Sequence, residues 1–290
     1  MNASIALVTC AEFPGLTADD RLLVTALERR GARAVPALWN DAQQRWRNYD
    51  AVVLRSTWDY HHHLAEFLRW LDRLESAGAR TFNGIATVRW NVNKSYLRDL
   101  EAAGVPVTPT VWVPMGSAAT LQEVMEAIQS DALVVKPNVS ATAFETWRFD
   151  RAQAEENEAR FTRLIAERDL MIQPFLPVIE TEGELSFIFL AGEFSHAVRK
   201  RPRAGDFRVQ EAFGGTAEAA EAGADLVRQA ARALAAAPET TLYARVDGVV
   251  LDGTLVVMEL EVVEPMLYFG WNAAAPDRCA EGLLAAIGRR

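Results

Sequence analysis

The chain predicts an α/β protein with a parallel sheet at its amino end and two α+β regions after it, and three observations lead there. Strand and helix patterns alternate over the first hundred residues, which calls for crossover helices on a parallel sheet. The proline-punctuated stretch Val105-Pro-Val-Thr-Pro-Thr-Val-Trp-Val-Pro114 then breaks the alternation and reads as a linker or edge strand. Further on, two runs rich in Val and Leu flank Asp252-Gly253, a dipeptide favoured in type I′ turns, and so predict a β-hairpin.

Each element has its own warrant in the sequence. Ile5–Thr9 is an apolar run of strand length, and Cys10 behind it reads as a small core residue. Thr17 can cap a helix with Asp19 and Asp20 in its first turn, Leu22, Leu23, Ala26 and Leu27 on one face, and Gly31 past its end. Val35–Leu38 and Ala51–Leu54 supply two more strands. Leu64, Phe67, Leu68, Leu71 and Leu74 recur at helical spacing within His63–Ala77, which stops at Gly78. Asn93–Ala103 is a short helix ended by Gly104. Beyond the prolines, Thr120–Ile128 and Ala154–Glu167 read as helices, and Ala132–Lys136 and Leu170–Phe175 as strands. Leu185–Leu190 and Phe194–Arg199 are strands joined at Ala191-Gly192-Glu193. The Ala-rich stretch Glu218–Ala236 reads as a helix leading into the hairpin, and Cys279–Ile287 as the last helix. The breaks divide the chain into residues 1–106, 107–176 and 177–290.

Composition narrows the function. The 290 residues are 50% hydrophobic and 24% charged, the balance of a soluble globular protein. A formal charge of −9 argues against nucleic-acid or anionic-membrane partners. Phosphate chemistry would therefore depend on a local cluster of Lys and Arg. Cys10 and Cys279 match no metal or redox spacing. Neither a signal-peptide pattern nor a run of membrane-spanning length is present, so a cytoplasmic protein is expected.

The hairpin carries the sharpest chemical signal. Glu259 and Glu261 lie two apart, so a strand aims both at one face, and Asp247 belongs to the preceding run. Converging carboxylates are costly to bury without a cation between them, and Mg²⁺ is the natural one. The alternative is a solvated acidic face. Lys136 ends the strand Leu-Val-Val-Lys and is followed by the small-residue loop Asn138-Val-Ser-Ala-Thr-Ala143, suited to close approach by an anion. Lys94 opens a helix, against the helix dipole, and needs a separate reason to be there.

Arg199-Lys200-Arg201 and Arg208, with Gly214-Gly215 beyond, suggest an anion clamp. Arg55-Ser-Thr-Trp-Asp-Tyr60 follows a strand end, where ligands of open α/β sheets bind. Consecutive His61-His62-His63 cannot easily share one ion, and His196 reads as a strand residue. No Gly-x-Ser-x-Gly, Cys–His or Gly-x-Gly-x-x-Gly pattern is present.

Taken in order, these segments resemble the ATP-grasp superfamily on its glutathione-synthetase-like side, from Ile5 to Pro265. Phe82-Asn-Gly and Trp90-Asn-Val-Asn-Lys-Ser-Tyr-Leu97 resemble its first lysine motif, which implies that Lys94 meets the ATP phosphates. Val134-Val-Lys-Pro137 resembles the second, implying the same for Lys136, with Ser140 in the loop that covers them. Gln173-Pro-Phe-Leu-Pro177 is similar to the adenine hinge, so Gln173 and Phe175 are implied there. Glu180 falls where a carboxylate takes the ribose, with Glu182 and Glu184 as alternatives. Arg199 is similar to the arginine on the transferred phosphate, and Arg208 with Gly214 and Gly215 to the loop around an acyl-phosphate. Asp247, Glu259 and Glu261 match the metal-binding hairpin, for Mg²⁺ or Mn²⁺. Two departures stand out: Glu261 replaces a usual Asn, and the loop Val139-Ser-Ala-Thr-Ala-Phe144 lacks the usual glycines.

The resemblance implies an ATP-grasp fold, with a parallel amino-terminal domain on the substrate side and two α+β subdomains clamping ATP. The implied enzyme is an ATP-dependent carboxylate–amine ligase working through an acyl-phosphate, with Lys136, Arg199 and Arg208 catalytic. Within the superfamily, Arg55-Ser-Thr-Trp-Asp-Tyr60 and Asp206-Phe-Arg-Val-Gln210 are similar to the D-cycloserine synthetase group, which cyclises O-ureido-D-serine. Arg55, Trp58, Asp59, Tyr60 and Arg208 are then expected at a small-molecule substrate. An intermolecular amino-acid or peptide ligase is the alternative, and a nucleotide-binding protein without catalysis a further one. Homodimers are usual among the family's members.

Overall fold

Three sheets organise residues 3–288, the part of the chain described by a computed structural model. The first is parallel and contains β1 (Ser4–Thr9), β2 (Arg33–Leu38), β3 (Ala51–Ser56) and β4 (Thr81–Phe82) in the order β2-β1-β3-β4. Helices α1 (Ala18–Arg29) and α2 (Leu64–Ser76) make the crossovers. Thr17 caps α1 by accepting the Asp20 amide, as its position in the sequence predicts. Because β2 and β3 lie on opposite sides of β1, the strand order reverses there. A crevice opens beyond such a reversal, between the loops that leave β1 and β3.

Two short helices follow, α3 (Ile85–Asn91) and α4 (Tyr96–Ala102). Lys94 thus sits between two helices instead of opening the single helix expected over Asn93–Ala103, and its amide donates to the Asn138 carbonyl at 2.8 Å. The second sheet is antiparallel, with β5 (Val111–Val113), β6 (Ala132–Pro137), β7 (Trp147–Asp150) and β8 (Leu170–Pro174) in the order β5-β8-β6-β7. The proline-flanked β5 is an edge strand, where missing donors are tolerated. Helices α5 (Leu121–Ile128) and α6 (Ala154–Ile165) join Leu133, Val135, Phe149 and Ile172 in one core. Strand alternation then turns Val134, Lys136 and Gln173 the other way.

After the short helix α7 (Val178–Thr181) comes the third sheet, also antiparallel. Its strands are β9 (Glu184–Leu190), β10 (Glu193–Arg201), β11 (Thr216–Ala220), β12 (Tyr243–Leu251) and β13 (Thr254–Glu261), ordered β11-β10-β9-β12-β13. Helix α8 (Ala224–Leu234) covers one face over Phe187, Ala244, Val246, Leu255 and Val257. The start of the Ala-rich stretch is therefore strand, not helix. The open edge of β10 recruits Thr216–Ala220 by backbone pairing, which outweighs alanine's helical preference, and α8 begins only after Gly223.

Along the opposite face of this sheet the character changes. Ile188, Leu190, Val198 and Tyr243 pack with α1 and with α9 (Ala275–Gly288), where Cys279 is buried. Further along, Glu184, Ser186, Lys200, Arg245 and Asp247 form a polar patch. The hairpin turn is as predicted, with positive φ at Asp252 (49°) and Gly253 (77°).

Candidate active site

Where the three sheets meet there is a cavity of about 1040 Å³. That is at the upper end of the range for small-molecule sites, roughly 300–1,000 Å³, and leaves room for a nucleotide and a second small ligand.

The floor is the polar face of the third sheet, and its register explains its composition. Lys200 lies opposite Glu184, Asp247 opposite both Ser186 and Glu259, and Arg245 opposite Glu261. Residues two apart share a face, so these cross-strand neighbours meet. Lys200 contacts Glu184 and lies 3.3 Å from Asp247. Arg245 reaches Asp247 at 2.9 Å and Glu261 at 2.5 Å. From across the cavity, Lys136 approaches Glu259 to 3.4 Å and Lys94 to 3.9 Å, while the Lys94 ammonium also donates to the Ser140 carbonyl. Two lysines from different parts of the chain thus converge on one hairpin carboxylate.

The electrostatics follow from these pairs. Burial would raise the Asp247 carboxyl, but Arg245 and then Lys200 bring it down to about 2. The Glu259 carboxyl is also lowered, because Lys94 and Lys136 outweigh its burial. Burial favours the neutral amine of Lys200, yet Asp247 and Glu184 raise it above the ordinary lysine value. Glu261 behaves differently: burial pushes it up to about 7 in spite of Arg245, and Asp247 and Glu259 add to the rise. One oxygen from each of Asp247, Glu259 and Glu261 lies within 4.8 Å of the others. Such an all-oxygen donor set fits a hard cation such as Mg²⁺.

On the second sheet's side, Val134, Lys136, Ser140, Gln173 and Phe175 line the cavity. Gln173 is fixed by donation to the Thr110 hydroxyl at 2.9 Å. Glu180 lies outside this wall, paired with Arg148 at 2.8 Å, while Glu184 lines the cavity. Over the lysines runs the loop from Asn138 to Thr146. Without glycine it still adopts positive φ at Thr142, Ala143 and Glu145, a conformation costing about 1–2 kcal/mol per residue. Its Phe144 ring packs against His61 at 5.0 Å and His62 at 4.6 Å, which holds the loop against the first sheet. His61 and His62 thus form a packing surface for the loop.

At the far end the walls come from the loops after β1 and β3. Phe13 and Trp58 meet edge to face at 5.1 Å, Tyr60 adds a third ring, and Met266 and Tyr268 line the cavity from the segment after β13. The Trp58 indole donates to the Glu264 carbonyl at 2.9 Å.

Several expected site residues lie elsewhere, each for a clear reason. Arg199 is the most instructive. In β10 it faces away from Lys200, and its guanidinium donates to the Glu182 carbonyl at 2.6 Å. Lys200 is the basic residue of that run in the cavity. Arg55 is 1% exposed, paired with Asp20 at 2.9 Å, donating to the Pro265 carbonyl at 2.8 Å and stacked 4.8 Å over Tyr243. It fastens β3, α1 and the segment after β13 together, and does not reach the cavity. Asp59 likewise turns away, accepting the Trp39 indole N–H at 2.7 Å.

In the loop after β10, Arg208 does line the cavity, held by Asp206 at 2.7 Å and stacked 3.7 Å over Phe213. Gly214 and Gly215 do not. They close the loop behind it, Gly214 at φ 81° and Gly215 packed where an added Cβ would lie 2.1 Å from the Val209 carbonyl oxygen. Sequence reasoning named Lys200 only as a member of the Arg199-Lys200-Arg201 run and gave no role of their own to Arg245 and Glu264. Arg245 was within its reach, since it stands two residues before Asp247 and shares that face.

Comparison with known proteins agrees with this architecture. A family profile described as the amino-terminal domain of D-cycloserine synthetase DcsG matches residues 5–83. The cycloserine biosynthesis protein DcsG of Streptomyces lavendulae is 32% identical over 291 residues, covering 96% of this chain and 97% of the relative. The crystal structure of D-cycloserine synthetase DcsG superposes with a TM-score of 0.90 at 31% identity, covering 98% of this chain and 99% of that one. A RimK-domain ATP-grasp protein from Sphaerobacter thermophilus shares the fold at a TM-score of 0.70 and 19% identity, over 97% of this chain and 100% of the other. The chain is a member of the DcsG family and has the ATP-grasp fold.

Proposed function

We propose that this protein is an ATP-dependent ligase that closes O-ureido-D-serine into D-cycloserine through an acyl-phosphate. The observation that carries the reading is the convergence of Lys94 and Lys136 on Glu259, beside Asp247 and Glu261, at the floor of a cavity large enough for two ligands. Membership of the DcsG family supports the choice of substrate.

On this reading residues 107–176 and 177–290 hold ATP between them, and residues 1–106 supply the substrate side. Phosphoryl transfer between two anions is chiefly a matter of position and charge. Lys94, Lys136 and Lys200 neutralise phosphate oxygens, and Gln173 and Phe175 flank the base. Mg²⁺, held by Asp247, Glu259 and Glu261, would supply further charge neutralisation when bound. The substrate carboxylate takes the γ-phosphoryl group and ADP departs. The ureido nitrogen attached to oxygen then attacks the acyl carbon and expels phosphate, and water removes the carbamoyl group as carbon dioxide and ammonia. Arg245 and Arg208 stand where they can stabilise the acyl oxygen and the departing phosphate. Docked through Phe144, the loop over the lysines keeps water from the acyl-phosphate. The cytoplasm, where ATP is supplied, is the setting we assign. No helix among the described residues is long and apolar enough to cross a membrane.

The test is ADP formation with O-ureido-D-serine, Mg²⁺ and ATP. The expected result is substrate-dependent ADP and D-cycloserine, with Glu259→Gln lowering kcat by about 10²–10³-fold while circular dichroism is unchanged. ADP release that O-ureido-D-serine does not accelerate would remove the cyclisation.

A further inference from the structure

The carboxylates lining the cavity differ in how they are satisfied. Asp247, Glu259, Glu261 and Glu184 each touch a lysine or an arginine. Glu211 is exposed, and Asp19 accepts the Leu267 amide at 3.2 Å. Glu264 is the exception. It is 8% exposed and lines the cavity, and among the described residues its carboxyl has neither a cationic partner nor a hydrogen-bond donor from another side chain. Its backbone carbonyl accepts the Trp58 indole N–H at 2.9 Å, and the donor beside its carboxyl is its own backbone amide. Burial, with Glu261 nearby, pushes the Glu264 carboxyl up to about 8, the direction expected where no positive group is in contact.

A buried carboxyl left without a partner from another residue is costly, and such groups are normally paired by the protein or by a ligand. The surroundings indicate which ligand. Trp58, Tyr60 and Phe13 present aromatic surface at this end of the cavity, and aromatic faces favour a cation. Glu264 also lies three residues beyond Glu261, immediately after the phosphate floor. In an α-amino acid the carboxylate and the ammonium share one carbon. A carboxylate placed for phosphorylation at the floor therefore carries its ammonium to the groups beside that floor.

We propose that Glu264 receives the α-ammonium of the substrate and so restricts this site to α-amino acids. The inference rests on the ligase reading for the position of the substrate carboxylate, and adds the group that recognises the other end of the same carbon. Glu264 binds and orients, and takes no part in bond making. Its pairing with the ammonium fixes which carboxylate oxygen meets the γ-phosphate, while the Trp58 hydrogen bond holds the residue's backbone in place.

The test compares O-ureido-D-serine with its desamino counterpart, 3-(ureidooxy)propanoate, by calorimetry on the protein loaded with ADP and Mg²⁺ and by the KM for ADP formation. Wild type is expected to bind the amino acid at least about tenfold more tightly than the desamino acid. Glu264→Gln, close in shape, is expected to weaken binding of the amino acid about 10- to 100-fold while changing the desamino acid less than about twofold. Equal loss for both ligands, or loss for neither, overturns the assignment. So does a wild type that does not prefer the amino acid, an arm that stands even if the variant fails to fold. Because the calorimetric arm needs no turnover, binding with discrimination but without ADP formation would refute the ligase reading and leave Glu264 in its role.

Discussion

The two ends of the cavity are built on opposite rules. At one end Lys94, Lys136, Lys200, Arg245, Asp247, Glu259, Glu261 and Glu184 satisfy one another through ion pairs, of which Lys200–Glu184 and Arg245–Glu261 join cross-strand neighbours. At the other end Phe13, Trp58 and Tyr60 line the cavity with Glu264, whose carboxyl has no cationic partner among the described residues. Charges that balance before a ligand arrives keep their geometry and need little reorganisation when phosphate develops charge. An unbalanced carboxyl, by contrast, makes occupancy conditional on a cationic group. On the proposed function the first end serves catalysis and the second the choice of substrate.

Breaking the balanced end should have the largest effect. Lys200→Met leaves Glu184 and Asp247 short of a cation in a buried setting, and should cost about 3–5 kcal/mol of stability. It should also lower kcat/KM by about 10²-fold. Arg199→Met, one residue earlier but on the other face, should stay within about 0.5 kcal/mol and near wild-type kcat/KM. Thermal melts and ADP formation on the pair decide it, and equal effects would mean that the face assignment of β10 is wrong.

Phe144→Ala should have an intermediate effect. It removes the stack that docks the covering loop on His61 and His62, an interaction worth about 0.5–1.5 kcal/mol. The expected result is a KM for ATP raised about 2- to 10-fold with the melting temperature nearly unchanged. An unaltered KM would show that the loop's own backbone holds it closed.

The smallest effect concerns pH. Burial, and then His62, lower His61 from 6.5 to about 4. A histidine kept neutral in the docked state binds fewer protons than when released, so docking is fully favoured above pH 6.5 and weakens as pH falls towards 4. The KM for ATP should rise across that window in wild type and rise less in His61→Phe. Identical profiles would place the sensitivity elsewhere.

Legibility in the sequence followed the range of each interaction. Glu259 and Glu261 could be read as neighbours because a strand's period of two is local, and Asp252-Gly253 fixed the turn between β12 and β13. Local pattern could not say which member of Arg199-Lys200-Arg201 faces the cavity. All three are basic, and only the sheet's contacts choose a face. Arg55 was misread for a similar reason: its partners, Asp20 and Pro265, are 35 and 210 residues away along the chain. Thr216–Ala220 became strand because β10 offered an edge, a fact absent from its own composition.

By itself the sequence determined the alternating α/β start, the carboxylate hairpin, the two lysines at Lys94 and Lys136, and the order that points to the ATP-grasp fold. The first two rest on backbone periodicity and turn chemistry within single segments, and the lysines and the fold on the resemblance that the ordered segments bear to that superfamily. Tertiary structure decided that Lys200 and not Arg199 enters the cavity, that Arg55 is a fastening, and that Glu264, unlike the other buried cavity carboxylates, has no cationic partner among the described residues. Each of those outcomes depends on which distant segment a side chain meets, and a charge is paired or unpaired only once the whole chain has surrounded it.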